Sequence, residues 1–175
     1  AAERAGRAAR RGRGSVDARV PGVSQRYPCW RAPLRALHGR GRAGLSGASP
    51  VEAVDYHTAG EPFRIVTGGV APLQGATILE KRRYALEHLD AVRRLLVFEP
   101  RGHADMYGCF VTEPEDADGD LGVVFFHNAG YSTACGHGTI ALVTWALENG
   151  VLPVEDPETR VVVDAPSGRL ETFAR

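Results

Sequence analysis

Eight consecutive residues without a charge, Ile140 to Leu147, constrain this chain more than any other stretch. Asn149-Gly150 follows and places a glycine where a helix stops. A helix that is apolar all round cannot lie on a surface and has to be enclosed. The run therefore predicts a central helix over 136–149, with Leu142, Val143 and Ala146 inaccessible and strands surrounding it.

The remaining pattern supplies those strands. Short apolar or alternating runs predict strands at 51–55, 63–67, 95–98, 105–112, 121–126, 160–164 and 170–173. Residues 56–62, 113–120 and 153–157 read as loops, and Pro166 to Gly168 as a turn between the last two strands. A second helix, on the surface, spans 77–96: Ala85, Leu89, Val92 and Leu96 share a face, and Asp90 with Arg94 forms an i,i+4 pair. The expected class is α+β, a curved mixed β-sheet wrapped around a buried central helix.

Net charge is zero, but it divides unevenly. Residues 1–48 hold eleven of the 21 basic residues and only two acids, Glu3 and Asp17, so they carry about +9 and residues 49–175 about −9. The expected organisation is a basic, low-complexity, disordered tail over 1–48 and a folded unit over 49–175. The tail reads as sequence without a selected role ahead of a nucleic-acid-binding arm or a transit segment. It has no repeated aromatic interleaving for nucleic acid. With Met106 the only methionine, Ala1 is expected to be a cut, processed or misassigned front end.

Three cysteines, Cys29, Cys109 and Cys135, offer no disulfide framework and point to a reducing, cytoplasmic setting. No run approaches the roughly 20 apolar residues of a membrane span. Lys81 is the only lysine and lies in a charged run expected to be solvated, which argues against a pyridoxal phosphate Schiff base.

Cys135 precedes the central helix, between small residues. Helix-start N–H groups lack intrahelical partners and the helix dipole is positive there. That position favours ionisation of a thiol below its free value of about 8.5 and offers a cradle for a carboxylate. The plain alternative is a buried structural cysteine. Two other chemistries use the same residue. A zinc site would draw on Cys135, His137, His103 and Cys109, but their spacing fits no standard metal motif. A cysteine hydrolase would pair Cys135 with His57 or His103. Elsewhere the structural readings lead: Cys109 and Trp145 as core, His57 and Glu61 as loop-fixing hydrogen bonders, and Arg101 with Asp105 as an ion pair.

Three separated stretches, taken together, resemble a known family. They are Asp55-Tyr56-His57-Thr58-Ala59-Gly60-Glu61-Pro62, Glu99-Pro100-Arg101-Gly102-His103-Ala104-Asp105-Met106, and Cys135-Gly136-His137. In this order they resemble the proline racemase family over about residues 51–175. Tyr107-Gly108, His127-Asn128 and Gly130-Tyr131-Ser132 are most similar to its trans-3-hydroxy-L-proline dehydratase branch.

The resemblance implies a diaminopimelate-epimerase-like fold of two lobes, each a barrel-like sheet around a helix, with the site between them. It implies cofactor-independent, metal-free chemistry on proline or hydroxyproline. By position, Cys135 corresponds to the base for the Cα proton, and Gly136 and His137 to residues whose backbone N–H groups bind the substrate carboxylate. Proline racemase and 4-hydroxyproline epimerase activities are the neighbouring alternatives. They differ from the dehydratase at a second-lobe residue, a cysteine rather than a threonine, that would follow Arg175. The chain reads as the first lobe alone, which is expected to be inactive by itself and open to self-association through the face a second lobe would cover.

Overall fold

Six strands and three helices follow one another in the computed structural model, which describes residues 50–175. They are β1 (Glu52–Thr58), β2 (Glu61–Gly68), α1 (Ile78–His88), α2 (Asp90–Val97), β3 (Tyr107–Thr112), β4 (Leu121–His127), α3 (Gly136–Glu148), β5 (Thr159–Ala165) and β6 (Gly168–Ala174). The expected disorder of 1–48 and the reading of Cys29 lie outside the described residues.

The strands form one mixed sheet in sequence order. Three antiparallel pairs, β1/β2, β3/β4 and β5/β6, are joined through parallel contacts of β2 with β3 and β4 with β5. Parallel neighbours need a crossover. Helices α1 and α2 make the first crossover and α3 the second, on opposite faces of the sheet.

The two faces explain β4. Val123 and Phe125 join the core beneath α3, with Leu142 and Ala146, while Val124 and Phe126 join the core beneath α1 and α2, with Ile78, Ala85 and Leu96. A strand covered on both sides has no position left for a polar residue, hence the unbroken apolar run. Full burial of each such side chain contributes about 1.5–3 kcal/mol.

Helix α3 is the enclosed element that its sequence requires. It touches β1, β2 and β3 near one edge of the sheet and β6 at the other, so the sheet curls around it. Leu142, Val143 and Ala146 are buried. The enclosure is incomplete along one stripe, where Ile140 is 46% exposed beside the gap between α3 and β6.

Several expectations change with tertiary context. The single helix over 77–96 is two, because Leu89 adopts φ −116° and ψ 7° and ends one helix as the next begins. Thr77 starts α1 with a reciprocal cap to Glu80. Asp90 pairs with Arg93 at 2.7 Å rather than with Arg94, which lies over the Phe98 ring. The expected strand at 95–98 is the end of α2 and its exit. Residues 56–62 are not a loop: β1 and β2 run to a two-residue turn at Ala59-Gly60, both with positive φ. Lys81 is buried, its Nζ donating to the Glu113 carbonyl at 2.6 Å. Among the described residues no helix is long and apolar enough to cross a membrane.

Candidate active site

The end of β1, the start of β2, the start of β3, the end of β4 and the start of α3 meet at one end of the sheet. Cys135 sits there as the N-cap residue of α3, in extended backbone with φ −156°. Its carbonyl accepts from the Thr139 N–H at 2.9 Å and the Thr139 hydroxyl at 2.8 Å, which locks the first turn. The thiol makes no capping hydrogen bond to this turn, although the Gly138 N–H is near enough to favour its ionised form. No protein acceptor takes the N–H groups of Gly136 and His137 among the described residues.

Close packing around the sulfur depends on Gly138. A Cβ there would lie 2.3 Å from Phe63 Cε2 and 2.9 Å from Cys135 Sγ. Without one, the His137 ring comes against the thiol, Nδ1 at 3.5 Å and Nε2 at 3.9 Å from Sγ. The ring is held edge-on by Phe63, centroids 5.6 Å apart, and Tyr107, 5.2 Å. Thr58 donates its hydroxyl to the His137 carbonyl at 2.9 Å. Tyr107 in turn contacts the ring of His127, 5.2 Å away.

A second layer holds these strand ends. Arg93, 6% exposed, donates to the carbonyls of His127 and Asn128 at 2.6 and 2.8 Å. Asn128 donates to the carbonyls of Val97 and His103, and Arg64 donates to those of Leu96 and Arg101 while chelating Asp55. The segment between α2 and β3 is thereby fixed by its backbone. Arg101 and Asp105 form no ion pair among the described residues; Arg64 with Asp55 is the pair that serves this segment.

The thiol's electrostatics run opposite to the expectation from its helix-start position. Burial pushes the Cys135 pKa up, the Gly138 N–H partly offsets this, and the field of Glu61 raises it further. Desolvation outweighs the helix terminus because the sulfur is covered rather than open to solvent; the residue is 8% exposed. Cys109, fully buried on β3, is raised more strongly by burial. Burial and Arg93 lower the pKa of His127.

Of the residues singled out from sequence, Cys135, Gly136 and His137 come together, with Glu61 close enough to act on the thiol through its field. His57 serves its turn, Nδ1 accepting the Gly60 N–H at 3.1 Å. His103 points Nδ1 to the Ala104 carbonyl. The imidazole against Cys135 is therefore that of His137, not His57 or His103. No group of three or more His, Cys, Asp or Glu among the described residues is placed to hold a metal ion. Sequence reasoning missed Thr58, Phe63 and Tyr107 as neighbours of this site. Their signal is positional: each flanks a turn or loop at the same end of the sheet as the cysteine.

What results is a covered thiol next to an imidazole and to unpartnered helix-start N–H groups. It can bind an anion and exchange a proton with a carbon placed beside the sulfur.

A family model described as proline racemase matches residues 53–175. A trans-3-hydroxy-L-proline dehydratase of Bacillus cereus is 49% identical over 121 residues, 69% of this chain and 36% of that protein. A 3-hydroxyproline 2-epimerase of Burkholderia multivorans is 54% identical over 125 residues, 71% of this chain and 37% of that protein. A crystal structure of a hydroxyproline epimerase from Agrobacterium vitis, with bound trans-4-hydroxy-L-proline, superposes with a TM-score of 0.65 at 24% identity. That likeness covers 70% of this chain and 36% of that one and shows the fold: one lobe of a two-lobed architecture. The chain thus spans little more than a third of the length of the relatives it matches.

Proposed function

The chain belongs to the proline racemase family, and on that premise we propose that it carries half of a cofactor-independent active site that removes the Cα proton of a proline-type amino acid, trans-3-hydroxy-L-proline first among them. The observation that carries this reading is the meeting of the Cys135 thiol with the free N–H groups of Gly136 and His137 at the start of α3.

The helix-start geometry supports the following roles. The N–H groups of Gly136 and His137 take the substrate carboxylate, which brings Cα towards Sγ. Removing the Cα proton moves charge onto that carboxylate, and N–H donors already in place stabilise it; one such donor is commonly worth about 3–4 kcal/mol. Burial matters twice. It makes the resting thiol neutral, and it makes the thiolate, once formed, a stronger base than one in water.

The fate of the carbanion separates the activities. If the 3-hydroxyl leaves as water, the product is an unsaturated ring and no second base is needed. If a proton returns to the opposite face, the product is the epimer. The 54% identity to the 3-hydroxyproline 2-epimerase favours epimerisation as the second reading. Either activity is proposed of the protein as a whole, with a second lobe contributing the opposite face.

The test is proton exchange at Cα in deuterated water, followed by NMR with trans-3-hydroxy-L-proline, trans-4-hydroxy-L-proline and L-proline. Wild-type protein is expected to exchange at least one of them, and Cys135→Ser to lose about 10²-fold or more, because a hydroxyl is a far weaker base. Exchange that survives Cys135→Ser removes the assignment. Loss of water, seen as an unsaturated product, identifies a dehydratase; inversion identifies an epimerase.

A further inference from the structure

The helix-start N–H groups and the Cys135 thiol address the carboxylate and Cα of an amino acid, which every proline-type substrate shares. Neither addresses the ring, where hydroxylated and plain prolines differ. A ring hydroxyl taken out of water needs a hydrogen-bonding partner of its own.

We propose that His127 is that partner: its Nε2–H donates to the ring hydroxyl of a hydroxyproline and so selects a hydroxylated ring over a plain one. The proposal rests on the reading of Gly136 and His137 as the carboxylate cradle beside Cys135, and adds a subsite for the far side of the substrate.

Strand register places the imidazole. Phe63 of β2 pairs with Tyr107 of β3, and Tyr107 pairs with His127 of β4. The three form a row across the end of the sheet. Side chains alternate along a strand, and Val123 and Phe125 lie in the core beneath α3, so His127 belongs to that face too. The first two members of the row hold the His137 ring beside Cys135. The third stands one strand further along, its ring centroid 5.2 Å from that of Tyr107. A substrate with its carboxylate at the start of α3 lays its ring over this row.

The turn after β4 decides which nitrogen is free. The Ala129 N–H donates to Nδ1 at 3.2 Å, so the neutral ring carries its proton on Nε2. Burial and the charge of Arg93 both disfavour a second proton. Reciprocal backbone hydrogen bonds between His127 and Gly130, at 2.8 and 3.1 Å, close the turn, and Arg93 holds the His127 carbonyl. Nδ1 thus faces the turn and Nε2 points away from it. Nε2 has no hydrogen-bond partner among the described residues, and His127 is only half-buried, so a ligand can reach it.

This chemistry suits recognition. A hydroxyl oxygen accepts from Nε2–H, whereas giving that proton up altogether would leave an imidazolate. His127 therefore forms no covalent bond and transfers no proton. L-Proline in the same place leaves the donor facing an apolar ring carbon, and an unpaired polar group in a closed site is what sets such ligands apart.

The test is calorimetric binding to the whole protein in the Cys135→Ser background, which reads binding apart from turnover. trans-3-Hydroxy-L-proline, trans-4-hydroxy-L-proline and L-proline are titrated in turn. His127→Phe, which keeps a ring but no nitrogen, is expected to lower the preference for at least one hydroxyproline over L-proline by about tenfold, the upper range for one neutral hydrogen bond. His127→Gln, whose side-chain amide still donates, is expected to keep most of that preference. The hydroxyproline that loses its advantage shows whether the hydroxyl at C3 or at C4 is read, and either supports the proposal. Since Tyr107 packs on the ring and His127→Phe could fail to fold, the protein that retains His127 supplies a second readout by nitrogen-15 NMR of labelled histidine. The Nε2 resonance of His127, identified by its absence in His127→Gln, should shift further with the hydroxyproline than with L-proline. No preference for either hydroxyproline at the outset, an unchanged preference in His127→Phe, equal losses for all three ligands, or equal shifts overturn the proposal. If none of the three binds, the functional reading falls and the subsite with it. If His127→Phe loses the preference while Cα exchange survives Cys135→Ser, the hydroxyl subsite stands and the base assignment falls.

Discussion

Replacing Gly138 by alanine tests the packing on which the site depends. The residue lies in the first turn of α3, where alanine should help: in a helix interior it is better than glycine by roughly 0.8–1 kcal/mol. The structure opposes that gain. The added Cβ would fall 2.3 and 2.6 Å from Cε2 and Cζ of Phe63, whereas carbon atoms in good contact stand about 3.5–4.0 Å apart. Relief needs the ring to move by roughly 1 Å or more. Phe63 is fully buried and wedged between Phe125 and His137, centroids 6.2 and 5.6 Å away, so it cannot move alone. Overpacking of this kind costs about 1–3 kcal/mol. The net expectation for Gly138→Ala is a loss of up to about 2 kcal/mol, or a fall in Tm of up to roughly 8 °C for a unit of this size. The added Cβ would also lie 2.9 Å from Cys135 Sγ, so the thiol has to shift away from the N–H that favours its ionisation and should alkylate more slowly. Gly136→Ala is the control, because nothing stands within 4 Å of its added Cβ. Its stability should match or slightly exceed wild type, while carboxylate binding weakens. Melting followed by circular dichroism, with iodoacetamide labelling at fixed pH, reads both effects. A Gly138→Ala protein that melts at or above wild type with unchanged labelling would refute the packing of α3, Phe63 and Cys135 described above.

Two further outcomes concern the scaffold. Arg93→Met should destabilise by about 2–4 kcal/mol in urea titration, because it leaves the His127 and Asn128 carbonyls without their buried donor; an unchanged midpoint would show that the loop is held by other means. Asp164 is buried with its carboxylate pKa lowered, chiefly by the Arg169 hydrogen bond, with the Glu115 N–H assisting against desolvation. A folded pKa below the unfolded value of about 3.9 means that Asp164 stabilises the fold above that pH and ceases to do so as pH falls through the folded value. Acid titration of Asp164→Asn should show lower stability near neutrality and a shallower loss in acid. Parallel curves would remove Asp164 from the acid response.

Much of the fold could be read in short stretches. The uncharged run 140–147 demanded enclosure, and α3 is enclosed except along the stripe of Ile140. The apolar run 121–126 demanded cover on both faces, and β4 has a core on each. Glycines marked the end of α3 and the turn before β6, because these signals act within a few residues and need no partner elsewhere. The same locality put Cys135 at a helix start beside Gly136 and His137. Tertiary structure decided everything that depends on which distant groups share a space. Lys81 can be buried because the Glu113 carbonyl, 32 residues on, accepts a hydrogen bond from its ammonium group. The helix expected over 77–96 breaks at Leu89, whose backbone leaves the helical range, and both halves still bury Ala85, Leu89 and Leu96 in one core. Above all, the helix-start position argued for a readily ionised thiol, and assembly reversed that sign. Phe63 from β2, Tyr107 from β3 and the field of Glu61 all arrive from other parts of the chain. A pKa responds to burial and to charges in space, which local sequence does not encode. The helix terminus lies in the sequence of α3; the cover over its sulfur exists only once the sheet has curled around it.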